Sequence, residues 1–259
     1  MKNFVISLQS ATKRREHITN EFGKHNVIFE FFDALTPETA KIYIQKYNLP
    51  FQLESMHLTS VEIACMMSHI AVWKKAIDEN IPYITVFEDD IYLGVDSEYF
   101  LSSSEWIKPD WNIIKIETVY NKVLLNKKRY HNLPKERQLI PLKDKHLGAG
   151  AYTLTLQGIK DLFDYSLQRE MLPIDETIFR DYILDNNEPV YQMVPALCVQ
   201  DIIISKRGKG LLLPSSLEES RSKRMGYAKK KGLAKIRREV SRLVEQAKHS
   251  LHAEEIPFK

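Results

Sequence analysis

The stretch "LTSVEIACMMSHIAVWKKAIDEN" (58–80) restricts the fold more than any other. Thr59 and Glu62 have the Thr-x-x-Glu spacing of a capping box, so a helix begins there. Over its first half, Val61, Ile63, Ala64, Met66, Met67, Ile70, Ala71 and Trp73 nearly encircle the axis. A helix that is apolar on most sides has to be covered on most sides. Directly after it comes "IPYITVF" (81–87), a continuously apolar run of the kind found in parallel sheets.

The same alternation runs along the chain. "NFVISL" (3–8) reads as a buried strand, followed by a helix that closes near Gly23. Residues 27–35 read as a second strand, and Thr36-Pro37 opens another helix. "WNIIKIE" (111–117) and "GAYTLTL" (150–156) are further strands, the latter with a helix after it. The polar residues 118–145 read as an excursion or loop. Residues 172–186 read as a loop entering a short helix, and 189–201 as one or two late strands. Strands alternating with helices predict an α/β fold with a mainly parallel central sheet.

Charge divides the chain. The net charge is +3, but residues 221–248 hold 11 Lys/Arg against 2 Asp/Glu. The division predicted is a catalytic domain over 1–210 and a basic C-terminal helical tail over 211–259. In the tail Leu233, Ile236, Val240, Leu243 and Leu251 recur at helical spacing among Lys229, Lys230, Lys231, Lys235, Arg237, Arg238 and Arg242. That pattern suits a helix lying on an anionic membrane surface, or one packed on the body with its basic face in water. The two cysteines, Cys65 and Cys198, sit in apolar runs and suit reduced thiols of a cytoplasmic protein. No segment has the length or flanks of a membrane span or signal peptide.

The run "YITVFEDDIYL" (83–93) ends its strand in Glu88, Asp89 and Asp90. Two like charges 4 Å apart interact by roughly 4 kcal/mol at an effective dielectric of about 20, so such a cluster calls for a cation. Mg²⁺ or Mn²⁺ suits these hard oxygens, and ligands of open α/β sheets bind beyond strand carboxyl ends. A solvated turn is the alternative. "HLGAGAY" (146–152) brings backbone close to a ligand through Gly148 and Gly150, or is simply a tight turn. Asp175 and Glu176 in "PIDETIF" precede a helix, where a carboxylate caps it or acts as a base. His69 is a core residue or a ligand. Arg14 and Arg15 follow the first strand closely enough to meet a phosphate.

Taken in order, "FVISL…RR", "FFDAL", "LTSVEIACMMSHIAVW", "VFEDDIYL", "GAGAYTLTLQGIKDLF" and "PIDETI" resemble glycosyltransferase family 25, which contains bacterial lipooligosaccharide galactosyltransferases. The most specific part is Glu62-x-x-Cys65-x-x-Ser68-His69-x-x-x-Trp73. Val61 and Ala64 stand where that family usually has glycine, and Thr155 replaces a serine. The resemblance implies a nucleotide-sugar-binding fold of the glycosyltransferase A type, a UDP-sugar donor (UDP-galactose) and Mn²⁺ or Mg²⁺. It also implies inversion at the anomeric carbon. Asp90 would ligate the metal. Ser7, Leu8, Arg14, Glu88, Asp89, Gly150 and Ala151 would line the donor. Asp175 would be the base, with Glu176 as the second candidate. The acceptor implied is a lipooligosaccharide-type glycan, which would place the enzyme at the cytoplasmic face of the inner membrane. A glycoside hydrolase also uses paired carboxylates, and the basic tail alone admits a nucleic-acid-binding protein. No nucleic-acid motif is present, so no nucleic acid is expected as a partner.

Overall fold

A computed structural model describes residues 1–51, 58–186, 188–206, 208, 213 and 253–259. The chain opens with β1 (Lys2–Ser7), α1 (Thr12–Lys24), β2 (Glu30–Asp33) and α2 (Pro37–Lys46). Next come α3 (Ser60–Asp78), β3 (Tyr83–Glu88), β4 (Ile91–Leu93) and α4 (Ser97–Ser102). The middle holds β5 (Ile113–Lys115), β6 (Glu117–Thr118), β7 (Lys122–Val123), β8 (His131–Leu133) and β9 (Arg137–Pro141). Then follow β10 (Ala151–Thr155), α5 (Leu156–Leu167), α6 (Ile174–Glu176), a π turn (Thr177–Asp181) and α7 (Tyr182–Asp185). The series closes with β11 (Val190–Val194), β12 (Cys198–Gln200), α8 (Asp201–Ser205) and β13 (Glu254–Glu255).

The capping box forms as its spacing predicts. Glu62 Oε2 accepts from Thr59 N at 2.9 Å, and Thr59 Oγ1 accepts from Glu62 N at 3.2 Å. α3 is buried almost all round, packed between α2, α5 and the sheet.

The central sheet has eight strands in the order β2-β1-β3-β10-β5-β11-β9-β8. It is mixed rather than mainly parallel. β1 runs parallel to β2 and β3, and β5 to β11, but β3–β10, β10–β5, β11–β9 and β8–β9 are antiparallel. A continuous apolar run reports burial on both faces and nothing about direction. β10 leaves the Gly148–Gly150 turn beside the end of β3, so it has to run back along that strand.

Alternate residues feed two cores. Phe4, Ile84, Val86, Tyr152 and Leu154 face α2, α3 and α5, while Val5, Phe87, Ile114 and Ala151 face α1 and α4. Period-two alternation inside fully apolar strands is what a sheet covered on both faces requires.

Gly158 shows how tightly the second half is fitted. Thr155 Oγ1 accepts from Gly158 N at 3.0 Å and caps α5, while Thr155 N donates to Asn112 O at 3.1 Å. A Cβ on Gly158 would lie 2.2 Å from that same Asn112 carbonyl oxygen. Both atoms are bound to backbone, so Gly158→Ala is expected to destabilise the fold by about 1–3 kcal/mol or more, read from urea unfolding. An unchanged midpoint would mean that α5 can slide off the strand.

Two departures lie in regions that read as polar. Residues 118–145 are not a free loop, since they supply β7, β8 and β9. Arg137 heads β9 with 1% exposure, its guanidinium donating to Pro195 O at 2.7 Å, Val95 O at 2.8 Å and Lys259 O at 2.6 Å. The last residues also belong to the body rather than to a separate tail. β13 pairs with β7, Ile256 is fully buried, and Thr118 Oγ1 donates to Ile256 O at 2.8 Å. The basic helix expected over 221–251 lies outside the described residues. No helix among the described residues is long and apolar enough to cross a membrane. Cys198 is buried, Cys65 is half-buried, and neither is in a disulfide.

Candidate active site

β1 and β3 are parallel neighbours, so their carboxyl ends coincide, with Ile6 opposite Glu88. That register sets Ser7 beside the acids, where Ser7 Oγ donates to Asp89 Oδ2 at 2.7 Å. α1 starts just beyond β1 and swings Arg14 over the same place. Arg14 Nη1 donates to Asp89 Oδ1, and Nη2 lies 3.5 Å from Asp90 Oδ2. Part of the positive charge that the triplet demands is therefore internal. Arg15 turns away from the acids and ties down the strand end, donating to Leu8 O at 3.1 Å and Ser7 O at 2.9 Å.

The opposite wall is the glycine turn. Glu88 N donates to Gly150 O at 2.8 Å. Gly150 N donates to Glu117 Oε1 at 2.9 Å, and Gly148 N to Asp175 Oδ2 at 3.2 Å. Gly148 has φ +103°, a left-handed conformation that disfavours side chains. A Cβ on Gly150 would lie 2.7 Å from Glu117 Oε2 and 2.8 Å from the Gln200 side chain.

Asp175 does not cap its helix. Pro173 holds the N-cap position, with no side-chain bond there, and the Asp175 carboxylate reaches the glycine turn instead. Glu176 is ion-paired with Arg180. Of the other candidates, Leu8 offers its carbonyl to Arg15, and the Ala151 side chain is buried in the core beneath α1 and α4. Ser7, Arg14, Glu88, Asp89, Asp90, Gly150 and Asp175 converge as a group.

Three members were not marked in the sequence reading. Glu117 is fully buried, accepts from Lys115 Nζ at 2.8 Å, and its Oε2 has no hydrogen-bond partner. Lys115 Nζ also donates to Gly148 O and lies 4.1 Å from the Phe179 ring centroid. Gln200 Nε2 donates to Glu88 Oε2 at 2.8 Å and lies 3.5 Å from Asp90 Oδ1. The signal for the first two was present, since "IIKIE" puts Lys115 and Glu117 on one face of an apolar strand and Ile114 and Ile116 on the other.

Among the described residues, Arg14 and Lys115 are the cationic side chains bonded to the Glu88, Asp89, Asp90 and Glu117 group, and its other partners, Ser7, Gln200 and Gly150 N, are neutral. Burial, then Asp90, Glu117, Asp89 and Asp175, pushes the Glu88 carboxyl well above its ordinary range. Burial also pushes Asp90 up to about 6, with Arg14 partly opposing it. Burial holds Lys115 below its usual value despite Glu117. Burial works against the Arg14 charge as well, but Asp90 and Asp89 more than offset it. Behind Glu88 stands His69, fully buried, its pKa pushed down to about 3 by desolvation.

This donor set fits a hard divalent cation. Asp89 has both oxygens engaged, by Ser7 and Arg14, whereas Asp90 has only 3.5 Å contacts and retains capacity for a ligand bond. The unpartnered Glu117 oxygen adds a second free acceptor nearby.

An α/β sheet with buried acids gathered at the carboxyl ends of its parallel strands defines an enzyme whose ligand sits beyond the sheet edge. The chain belongs to glycosyltransferase family 25, described as lipopolysaccharide biosynthesis proteins, whose family model matches residues 1–178. It is 32% identical to the lacto-N-neotetraose biosynthesis glycosyltransferase LgtE of Neisseria gonorrhoeae, over 96% of this chain and 95% of that one. It is 34% identical to the lipooligosaccharide biosynthesis protein lic2B of Haemophilus influenzae, over 90% and 88%. A solved glycosyltransferase involved in glycosylating the major capsid of PBCV-1 superposes with a TM-score of 0.42 at 10% identity, covering 87% of this chain and 99% of that one.

Proposed function

We propose that this glycosyltransferase moves a hexose, galactose, from a UDP-sugar to a lipooligosaccharide-type acceptor with inversion at the anomeric carbon, on a fold of the glycosyltransferase A type. The observation that carries the reading is the gathering of the Glu88, Asp89, Asp90 and Glu117 carboxylates at the strand ends beside the Gly148–Gly150 turn, where Arg14 and Lys115 are the cationic side chains bonded to them among the described residues. That imbalance is suited to a ligand that arrives with a cation.

Asp90 would hold Mn²⁺ or Mg²⁺, with Glu88 beside it. Such an ion, when bound, supplies charge stabilisation to a diphosphate leaving group. Asp89 keeps Ser7 and Arg14 in place, which sets the Arg14 guanidinium over the strand end. Lys115 anchors the Gly148 carbonyl, and the small turn leaves room for a sugar ring. Asp175 is half-buried at the turn and is suited to take the proton from an acceptor hydroxyl as its oxygen attacks. A glycosidase would use two carboxylates without a nucleotide, and membership of a glycosyltransferase family favours transfer.

The deciding experiment is a screen of UDP-sugars against one defined lipooligosaccharide core, with the linkage read by NMR. Transfer from UDP-galactose that stops in EDTA and returns with Mn²⁺ is the expected result. Release of free sugar without a nucleotide donor would overturn it.

The basic stretch 221–251 is proposed to hold the enzyme at the cytoplasmic face of the inner membrane. Basic residues near an anionic surface contribute roughly 1 kcal/mol each. Because residues 253–259 pack on the body, the test keeps the chain whole and changes Lys and Arg within 229–242 to Gln. The wild type is expected to sediment with anionic vesicles, and the substituted chain to remain in solution. Equal sedimentation of both would rule the tether out.

A further inference from the structure

Cys65 and His69 are four residues apart on α3, so their side chains stack on one face of the helix. That face looks toward the end of β3. The Cys65 sulfur, a His69 ring nitrogen and a Glu88 carboxylate oxygen all lie within 4.8 Å of one another. His69 is fully buried, yet its Nε2 has no hydrogen-bond partner and stands 3.9 Å from Glu88 Oε1. Its Nδ1 is held 2.7 Å from Tyr152 Oη, which itself accepts from Trp73 Nε1 at 3.1 Å. A ring fixed through one nitrogen, with the other left unsatisfied toward a thiol and a carboxylate, has the orientation of a metal-ligating histidine.

We propose that Cys65, His69 and Glu88 form a second cation site, selective for a borderline-soft ion such as Zn²⁺. It rests on the proposed function in sharing Glu88 with the site of sugar transfer, while Cys65 and His69 are donors of its own. A sulfur, nitrogen and oxygen set selects zinc over Mg²⁺ or Mn²⁺, which prefer the oxygens at Asp90. Tetrahedral zinc holds its ligands roughly 3.3–3.8 Å apart at its usual bond lengths, so the three groups need to close by about 1 Å. On binding, Cys65 gives its proton to solvent. The His69 proton resides on Nδ1, where Tyr152 Oη accepts it. Filling this site draws Glu88 away from Gln200, so zinc inhibits transfer without competing for Asp90.

Cobalt serves as a spectroscopic stand-in for zinc, and it reports binding whether or not the transfer assay works. Metal-free full-length protein titrated with Co²⁺ is expected to show a sulfur-to-cobalt charge-transfer band that Zn²⁺ abolishes. Cys65→Ala should lose the band and the zinc inhibition while keeping zinc-free transfer. Tyr152→Phe, which removes the partner of the ring, should weaken Co²⁺ binding by about 10–100-fold. The site is wrong if the folded wild type gives no band, or if the band persists unchanged in Cys65→Ala. An unchanged affinity in Tyr152→Phe would show that His69 is not a ligand.

Discussion

Asp90→Asn is expected to abolish sugar transfer and, at neutral pH without metal, to leave the protein more stable than the wild type. The two effects share one cause. Burial, with Asp89 and Glu117 nearby, raises the Asp90 pKa from 3.8 to about 6 even though Arg14 opposes it. A carboxylate raised in the folded state opposes folding once it ionises. The penalty is absent below about pH 4, grows as the pH rises toward 6 and is complete above that. A shift of this size corresponds to ~3 kcal/mol at full ionisation. The attraction to Arg14 is already contained in that shift, so a gain of about 1–3 kcal/mol is the expectation. Unfolding in EDTA at pH 7.5 and at pH 4 measures it, and the advantage should vanish at the lower pH. Calorimetry should show that Mn²⁺-dependent UDP binding is lost. Full activity of the variant, or of the wild type in excess EDTA, would remove Asp90 from the metal site.

The second large effect is expected at Asp175. Asp175→Asn should lower kcat by about 10²–10⁴ with little change in UDP affinity. The amide oxygen can still accept from Gly148 N, so the turn stays anchored and only the basic carboxylate is lost. Asp175→Ala removes both, and comparing the two separates chemistry from anchoring. A near-normal kcat in Asp175→Asn, together with an unfolding defect in Asp175→Ala, would reduce the residue to a structural anchor.

The parts of this fold that were legible in the sequence are those where local pattern and tertiary environment agree. α3 was readable because apolar residues encircle it and a capping box marks its start. The acid triplet stood out as charge inside an apolar run. Strand direction was not readable, because burial on two faces reads the same way in parallel and antiparallel sheets. β8 and β9 were hidden by half-polar sequence, and Arg137 satisfies its charge with carbonyls that lie at least 42 residues away in the chain. β13 spans two residues and carries no period at all. Lys115 and Glu117 were visible as two charges sharing the parity of a strand, but only the turn from a distant segment shows what they hold.

The docking of residues 253–259 changes the mechanics of any attachment to a lipid surface. Leu213 N is bonded to Asp201 at 2.7 Å, and β13 is fastened to β7, so the chain is held to the body both before and after residues 214–252. An enzyme hung from a single strand can swivel through every orientation. One held by two legs that leave it at different points swings mainly about the line joining them. Such a mooring limits how the mouth of the site can turn relative to the surface that carries its acceptor.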